Sequence, residues 1–151
     1  MTIDDQTIRA IAERMVTSTP QAAALNMRFV SATPGEGFLA VPWREDLVGD
    51  PATGVLAGGV VTTLLDHCCG LATTTRLWPL MGSATLDLRI DYMRPAIPRR
   101  EVIGVARCYK VTRSIAFVRA AAFEDDEADP IATAQAAFMI NGQAAPAGAS
   151  A

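Results

Sequence analysis

Apolar positions follow two different periods along this chain, and the change between them marks out its elements. Over residues 4 to about 18, Ile8, Ile11, Ala12, Met15 and Val16 share one stripe at helical spacing. Asp4 and Asp5 stand where a helix start favours negative charge. The run Ser18, Thr19, Pro20 ends the helix, because a residue before proline is driven out of the helical region. Residues 27–33 and 37–43 then read as two strands, turning at Pro34 and Gly35, with Pro42 marking a strand end or an edge. A polar stretch with glycine and proline, residues 44–57, reads as a loop. The segment GGVVTTLLDHCCGLATTTRL, Gly58–Leu77, has no proline and opens on a glycine pair. It spreads Val60, Val61, Leu64, Leu65, Cys68, Leu71 and Ala72 over one broad face and predicts a helix buried almost all round. From Ser83 the period drops to two: Ala84, Leu86, Leu88, Ile90 and Tyr92 point one way, Thr85, Asp87, Arg89 and Asp91 the other. Residues 100–111 and 114–124 predict two more strands joined at Thr112 and Arg113, and 130–140 a last one after the turn 125–129.

Consecutive strands with short links make an antiparallel sheet, and the one apolar helix is the natural element for it to wrap, which predicts an α+β domain. The reading treats residues 1–151 as a single domain, with 1–25 an N-terminal helical segment and 142–151 a small, polar, frayed tail. With 50% apolar and 19% charged residues the chain has enough material for a core, which excludes a disordered protein. A net charge of −3 with no basic stripe argues against a nucleic-acid partner. No run of about 18 apolar residues suggests a membrane span. The acidic start lacks the apolar core of a secretory signal, so a cytoplasmic location is expected. In that setting the 3 cysteines, two of them adjacent at Cys68 and Cys69, read as reduced, small core residues. A single histidine, His67, and the absence of a CxxC pair predict no metal site.

Asp66 is the residue that most needs a reason, since it lies in the middle of the most apolar helix and burying a carboxylate is costly. Its face at helical spacing carries Gly59, Thr62, Thr63, Cys69, Gly70 and Thr73, a path of small residues over which a thin ligand or another backbone can pass. Either Asp66 serves chemistry, or it pairs with an arginine or caps a loop. Gly58 and Gly59 begin the same helix; its free N–H groups suit an oxyanion, and a tight turn is the alternative. Asp66 follows Gly58 by 8 residues, roughly 12 Å along the axis. Groups so far apart cannot both touch one carbonyl carbon from a single chain. Two copies with antiparallel helices about a two-fold axis would bring Asp66 of one to Gly58 of the other, so a catalytic reading predicts an isologous dimer. His67 diverges from Asp66 by about 100° around the helix and reads as packed in, or at the edge of, the core.

The stretches TGVLAGGVVTTLLDHCCGLATTT, ATLDLRIDYMRPA and the strand ending IATAQAAFMI together resemble hotdog-fold acyl-CoA thioesterases of the phenylacetate-degradation (PaaI) type, over residues 26 to 141. Most specific are the glycine pair with aspartate seven residues after its second glycine and the later DYMRPA. The resemblance implies a sheet around a long central helix, dimers joined edge to edge, and dimers of dimers. It implies that the Gly58 N–H polarises a thioester carbonyl, that Asp66 of the other subunit acts as base or nucleophile, and that Thr85 helps to orient water. It further implies an acyl-CoA substrate passing Gly59 and Thr62, with Arg94, Arg99, Arg100 and Arg113 as candidates for the phosphates, and no cofactor beyond the coenzyme A of the substrate. The chain departs from the pattern at Ala57, where many relatives carry histidine, and at Asp50 and Pro51, where some carry asparagine. A thioester is an activated acyl group, so one carboxylate and one oxyanion donor suffice where an amide would need a triad. A non-catalytic acyl-CoA binding or sensing module on the same fold is the alternative. A hotdog hydratase is set aside because no histidine follows His67.

Overall fold

The computed structural model describes residues 2–79 and 82–141, so the tail expected at 142–151 lies outside the described residues. Helix α1 (Asp5–Thr17) is capped by Asp4, whose carboxylate accepts the Thr7 N–H at 2.7 Å, and it buries Ile8, Ile11, Ala12 and Val16. Pro20 does more than end this helix. It opens a short second one, α2 (Pro20–Ala24), because proline at a first helical position loses no hydrogen bond. Strands β1 (Arg28–Thr33) and β2 (Glu36–Val41) turn through Gly35 at φ +85°, and β2 stops just before Pro42. The stretch 44–57, expected as loop, holds a 3-10 turn at Glu45–Leu47 and a small ladder of β3 (Val48–Asp50) on β4 (Val55–Leu56).

Helix α3 (Gly58–Leu77) spans the predicted segment. After it come β5 (Ser83–Tyr92), β6 (Val102–Val111), β7 (Ile115–Phe123) and β8 (Ala132–Ile140). The six-stranded antiparallel sheet runs β1-β2-β6-β7-β8-β5. Thus β6, β7 and β8 follow one another as the pattern implied, while β5 crosses to the far side of β8 and becomes an edge. The sheet curls about α3, which touches all six of its strands, and α1 packs on β1 and α3. Leu39, Val41, Leu64, Leu65, Leu71, Val105 and Val118 fill the space between them.

Two glycines set how close helix and sheet come. A Cβ on Gly104 of β6 would lie 2.7 Å from Cys68 Sγ, and one on Gly37 of β2 would lie 2.8 Å from the Leu71 side chain. The pattern predicts a helix buried almost all round, and the structure corrects this for α3. Its Gly58, Gly59, Thr62, Thr63, Asp66, His67 and Gly70 remain exposed or half-buried along one stripe, while Cys69 and Thr73, expected on that open path, are fully buried. Among the described residues no helix is long and apolar enough to cross a membrane.

Candidate active site

A fault in the ladder between β5 and β8 aims the first pair of site residues. Thr85 lies opposite Phe138 but Asp87 lies opposite Ala137, so Leu86 is an extra residue with no partner. One inserted residue reverses which side chains face the helix. Strict alternation sends Thr85 outward with Asp87, Arg89 and Asp91. The bulge turns it inward instead, on the side of buried Phe138, and leaves Leu86 55% exposed. The Thr85 hydroxyl then donates to Asp66 Oδ1 at 2.9 Å.

Asp66 is half-buried and, among the described residues, forms no ion pair, so the reading in which it pairs with an arginine is not realised. It opens into a cleft of about 720 Å³ between α1, α3 and the start of β5, with Met15, His67, Gly70, Thr85 and Phe138 among its walls. His67 is half-buried at the edge of the core and lines the same cleft despite its divergence from Asp66.

Gly58 lies at the other end of this stripe. Ala57 precedes the helix without a side-chain cap; its carbonyl takes the Val60 N–H at 3.0 Å, while the N–H groups of Gly58 and Gly59 have no acceptor among the described residues. The Tyr92 hydroxyl donates to the Gly58 carbonyl at 2.6 Å, and the Thr62 hydroxyl lies 3.1 Å from that carbonyl and 2.9 Å from the Tyr92 hydroxyl. Tyr92 was not among the expected site residues. The signal was its place in the alternation, on the helix-facing side with Leu88 and Ile90 at the end of β5. A separate hollow of about 340 Å³ opens here, walled by Gly58, Val61, Tyr92 and Met93 among others. Within one chain, therefore, Asp66 and Gly58 open into different cavities.

Of the basic candidates, Arg94 serves the fold. Its guanidinium forms an ion pair with Glu124, whose side chain is 1% exposed, and a second contact with Asp129 at 3.4 Å. Burial would raise the Glu124 carboxyl, but the hydrogen bonds from Arg94 and the Ile97 N–H outweigh it and hold it below its ordinary 4.5. The expected role of Arg94 on a phosphate thus meets a side chain already committed to anchoring the 93–101 connection. Arg99 lies over the Trp43 ring at 5.6 Å, and Arg100 pairs with Asp125. Arg113 is exposed in the turn between β6 and β7. Burial pushes the Cys68 thiol up to about 12 and raises Cys69 likewise, as befits inert core residues. Among the described residues no cluster of 3 or more His, Cys, Asp or Glu side chains could hold a metal.

Residues 53–131 match the family model of the thioesterase superfamily. The medium/long-chain acyl-CoA thioesterase YigI of Escherichia coli is 28% identical over 149 residues, covering 90% of this chain and 95% of that one. A structural-genomics crystal structure from Pseudomonas aeruginosa superposes with a TM-score of 0.80 at 38% identity, over 87% of this chain and 98% of that one. A mutant of the phenylacetic acid degradation protein PaaI from Thermus thermophilus gives a TM-score of 0.70 at 26% identity, over 80% and 97%. The matched span carries Gly58, Asp66 and Thr85, and the sheet around α3 supplies the frame that holds them, so the chain belongs to the thioesterase superfamily and is a PaaI-like hotdog thioesterase.

Proposed function

We propose that the protein hydrolyses acyl-CoA thioesters at a site completed by a second copy of itself. The observation that carries this reading is the Thr85–Asp66 hydrogen bond at the wall of the large cleft. Thr85 engages Oδ1, while Oδ2 accepts no hydrogen bond among the described residues. That oxygen can take a proton from water as the water oxygen bonds to the thioester carbon. The carbonyl electron pair moves to oxygen, where the Gly58 N–H of the facing subunit stabilises the charge. Collapse of the intermediate breaks the C–S bond, and the proton held by Asp66 passes to the departing thiolate. A carboxylic acid and free coenzyme A result.

The separation of Asp66 and Gly58 into different cavities supports a shared site, because two antiparallel copies of α3 would join them. The edge strand β5 supports it too: Leu86, Tyr92 and Met93 are exposed there, and an unpartnered strand edge is a natural place for a second sheet. Dimers of such dimers follow the same family pattern. The name of the YigI relative favours medium or long acyl chains. Arg99, Arg100 and Arg113 remain candidates for the coenzyme A phosphates, and Gly59 and Thr62 for the path of the thioester arm.

The test is thiol release from short, medium, long and aromatic acyl-CoAs, monitored with a thiol-reactive dye. Turnover of at least one class is expected, with no release from the matching thioether that lacks the acyl carbonyl. Failure to hydrolyse any member would leave the binding-module alternative standing.

A further inference from the structure

The weakest turn of α3 is the one the chemistry uses. It begins on two glycines, which favour a helix least among residues other than proline, and no side chain caps it at Ala57. Val60 and Val61 anchor the buried side of this turn, but both glycines are exposed and a Cβ on Gly59 would meet nothing within 4 Å, so packing does little to hold the glycine side. A hydroxyl from another element does. Tyr92, the last residue of β5, donates to the Gly58 carbonyl at 2.6 Å, shorter than the 3.1 Å from the Thr62 hydroxyl, and its ring atoms would lie 3.6–3.8 Å from a Cβ on Gly58. The Thr62 hydroxyl sits 2.9 Å from the same phenol oxygen. Tyr92 is 50% exposed, so burial does not force this bond; its phenol could equally be satisfied by water.

We infer that Tyr92 is a positioning residue for thioester hydrolysis, its hydroxyl clamping the Gly58 carbonyl and thereby aiming the amide donors of the first turn at the thioester oxygen. The inference rests on the acyl-CoA reading above. Peptide groups are planar, so fixing the Gly58 carbonyl fixes the plane it shares with the Gly59 N–H, and tethering that turn restrains the Gly58 N–H that precedes it. Oxyanion donors act through direction as much as through presence, and a small misplacement is costly to rate. The strand β5 thus supplies one hydroxyl to each half of the site: Thr85 to Asp66, Tyr92 to Gly58.

The test is Tyr92→Phe, which keeps the ring and removes only the hydroxyl, with Tyr109→Phe on β6 as the control for loss of a phenol oxygen elsewhere. Tyr92→Phe should lower kcat by about 10- to 100-fold and leave KM within about threefold, while Tyr109→Phe stays at the wild-type rate. Two substrate analogues add a readout that a merely structural role would not move. A coenzyme A ketone, with CH2 in place of sulfur, keeps the carbonyl; an S-alkyl coenzyme A lacks it. Tyr92→Phe should weaken binding of the ketone, and reverse the shift of its carbonyl stretch on binding, without changing the affinity of the S-alkyl compound. Equal loss for both analogues, a wild-type kcat, or a variant that no longer folds would each overturn the clamp. If wild-type protein hydrolyses no acyl-CoA at all, it is the substrate reading that has failed, which separates the two.

Discussion

Asp66 and Thr85 form a pair in which only one partner bears charge, and that asymmetry suits a base better than a structural anchor. An arginine at the distance of Thr85 would engage both carboxylate oxygens and hold the group as an ion pair; a hydroxyl engages one and orients it. Asp66→Asn tests this, since the amide oxygen can still accept the bond from Thr85 while basicity is lost. If Asp66 removes the proton from water, kcat should fall by roughly 10²–10⁴ with KM little changed. Because Asp66 is half-buried and has no ion pair to lose among the described residues, melting temperature should stay within a few degrees of wild type. Calorimetry and single-turnover hydrolysis on one preparation check both halves of the expectation. A folded variant that turns over at the wild-type rate would remove Asp66 from the chemistry.

At the scale of elements, the depth of α3 in the sheet sets where Asp66 and Gly58 sit, and glycines set that depth. Gly104 faces Cys68 and Leu64 at distances no real Cβ could occupy, 2.7 and 2.9 Å. Gly104→Ala should therefore force the helix outward or the core side chains aside, costing about 1–3 kcal/mol by overpacking. Urea unfolding followed by circular dichroism should show the midpoint moving down with an unchanged slope. A variant as stable as wild type would mean that the helix can lift off β6 without loss. The bulge at Leu86 works at the same scale: it disrupts the ladder locally, and in return points Thr85 at the helix from a strand whose alternation would have sent it away.

At the scale of the whole molecule, the proposed hydrolysis needs each chain to supply two half-sites. The carboxylate and the amide open into separate cavities on one helix, so the proposed mechanism asks for two helices. Subunit mixing tests this directly. A chain with Asp66→Asn and a chain with Gly58→Val, which would push a side chain towards Tyr92, should each be inactive alone. Refolded together in equal amounts, half of the dimers would be mixed and one of the two sites in each would be intact, so activity should return to about a quarter of wild type. Mixed dimers demonstrated by native mass spectrometry without any recovered activity would place both groups in one subunit or leave one of them out of the reaction.

The extent of α3, the strands on either side of it and the cap at Asp4 were legible because each depends on neighbours in sequence: the period of apolar residues, a carboxylate three residues before an N–H, a proline with no donor. Asp66 and Gly58 stood out for a similarly local reason, a charge in an apolar helix and a glycine pair at its start. What the tertiary structure decided is which distant groups meet. Alternation along β5 is a rule of two, and a single unpaired residue opposite β8 overturns it, so the inward turn of Thr85 depended on pairing with a strand about fifty residues later. Tyr92 reaches Gly58, and Arg94 is drawn to Glu124 instead of to solvent, because β5 lies beside β8 and against α3. Local pattern determines what each segment becomes; contacts between segments determine what each side chain can do, since hydrogen bonds and ion pairs form over a few ångströms of space and not along the chain.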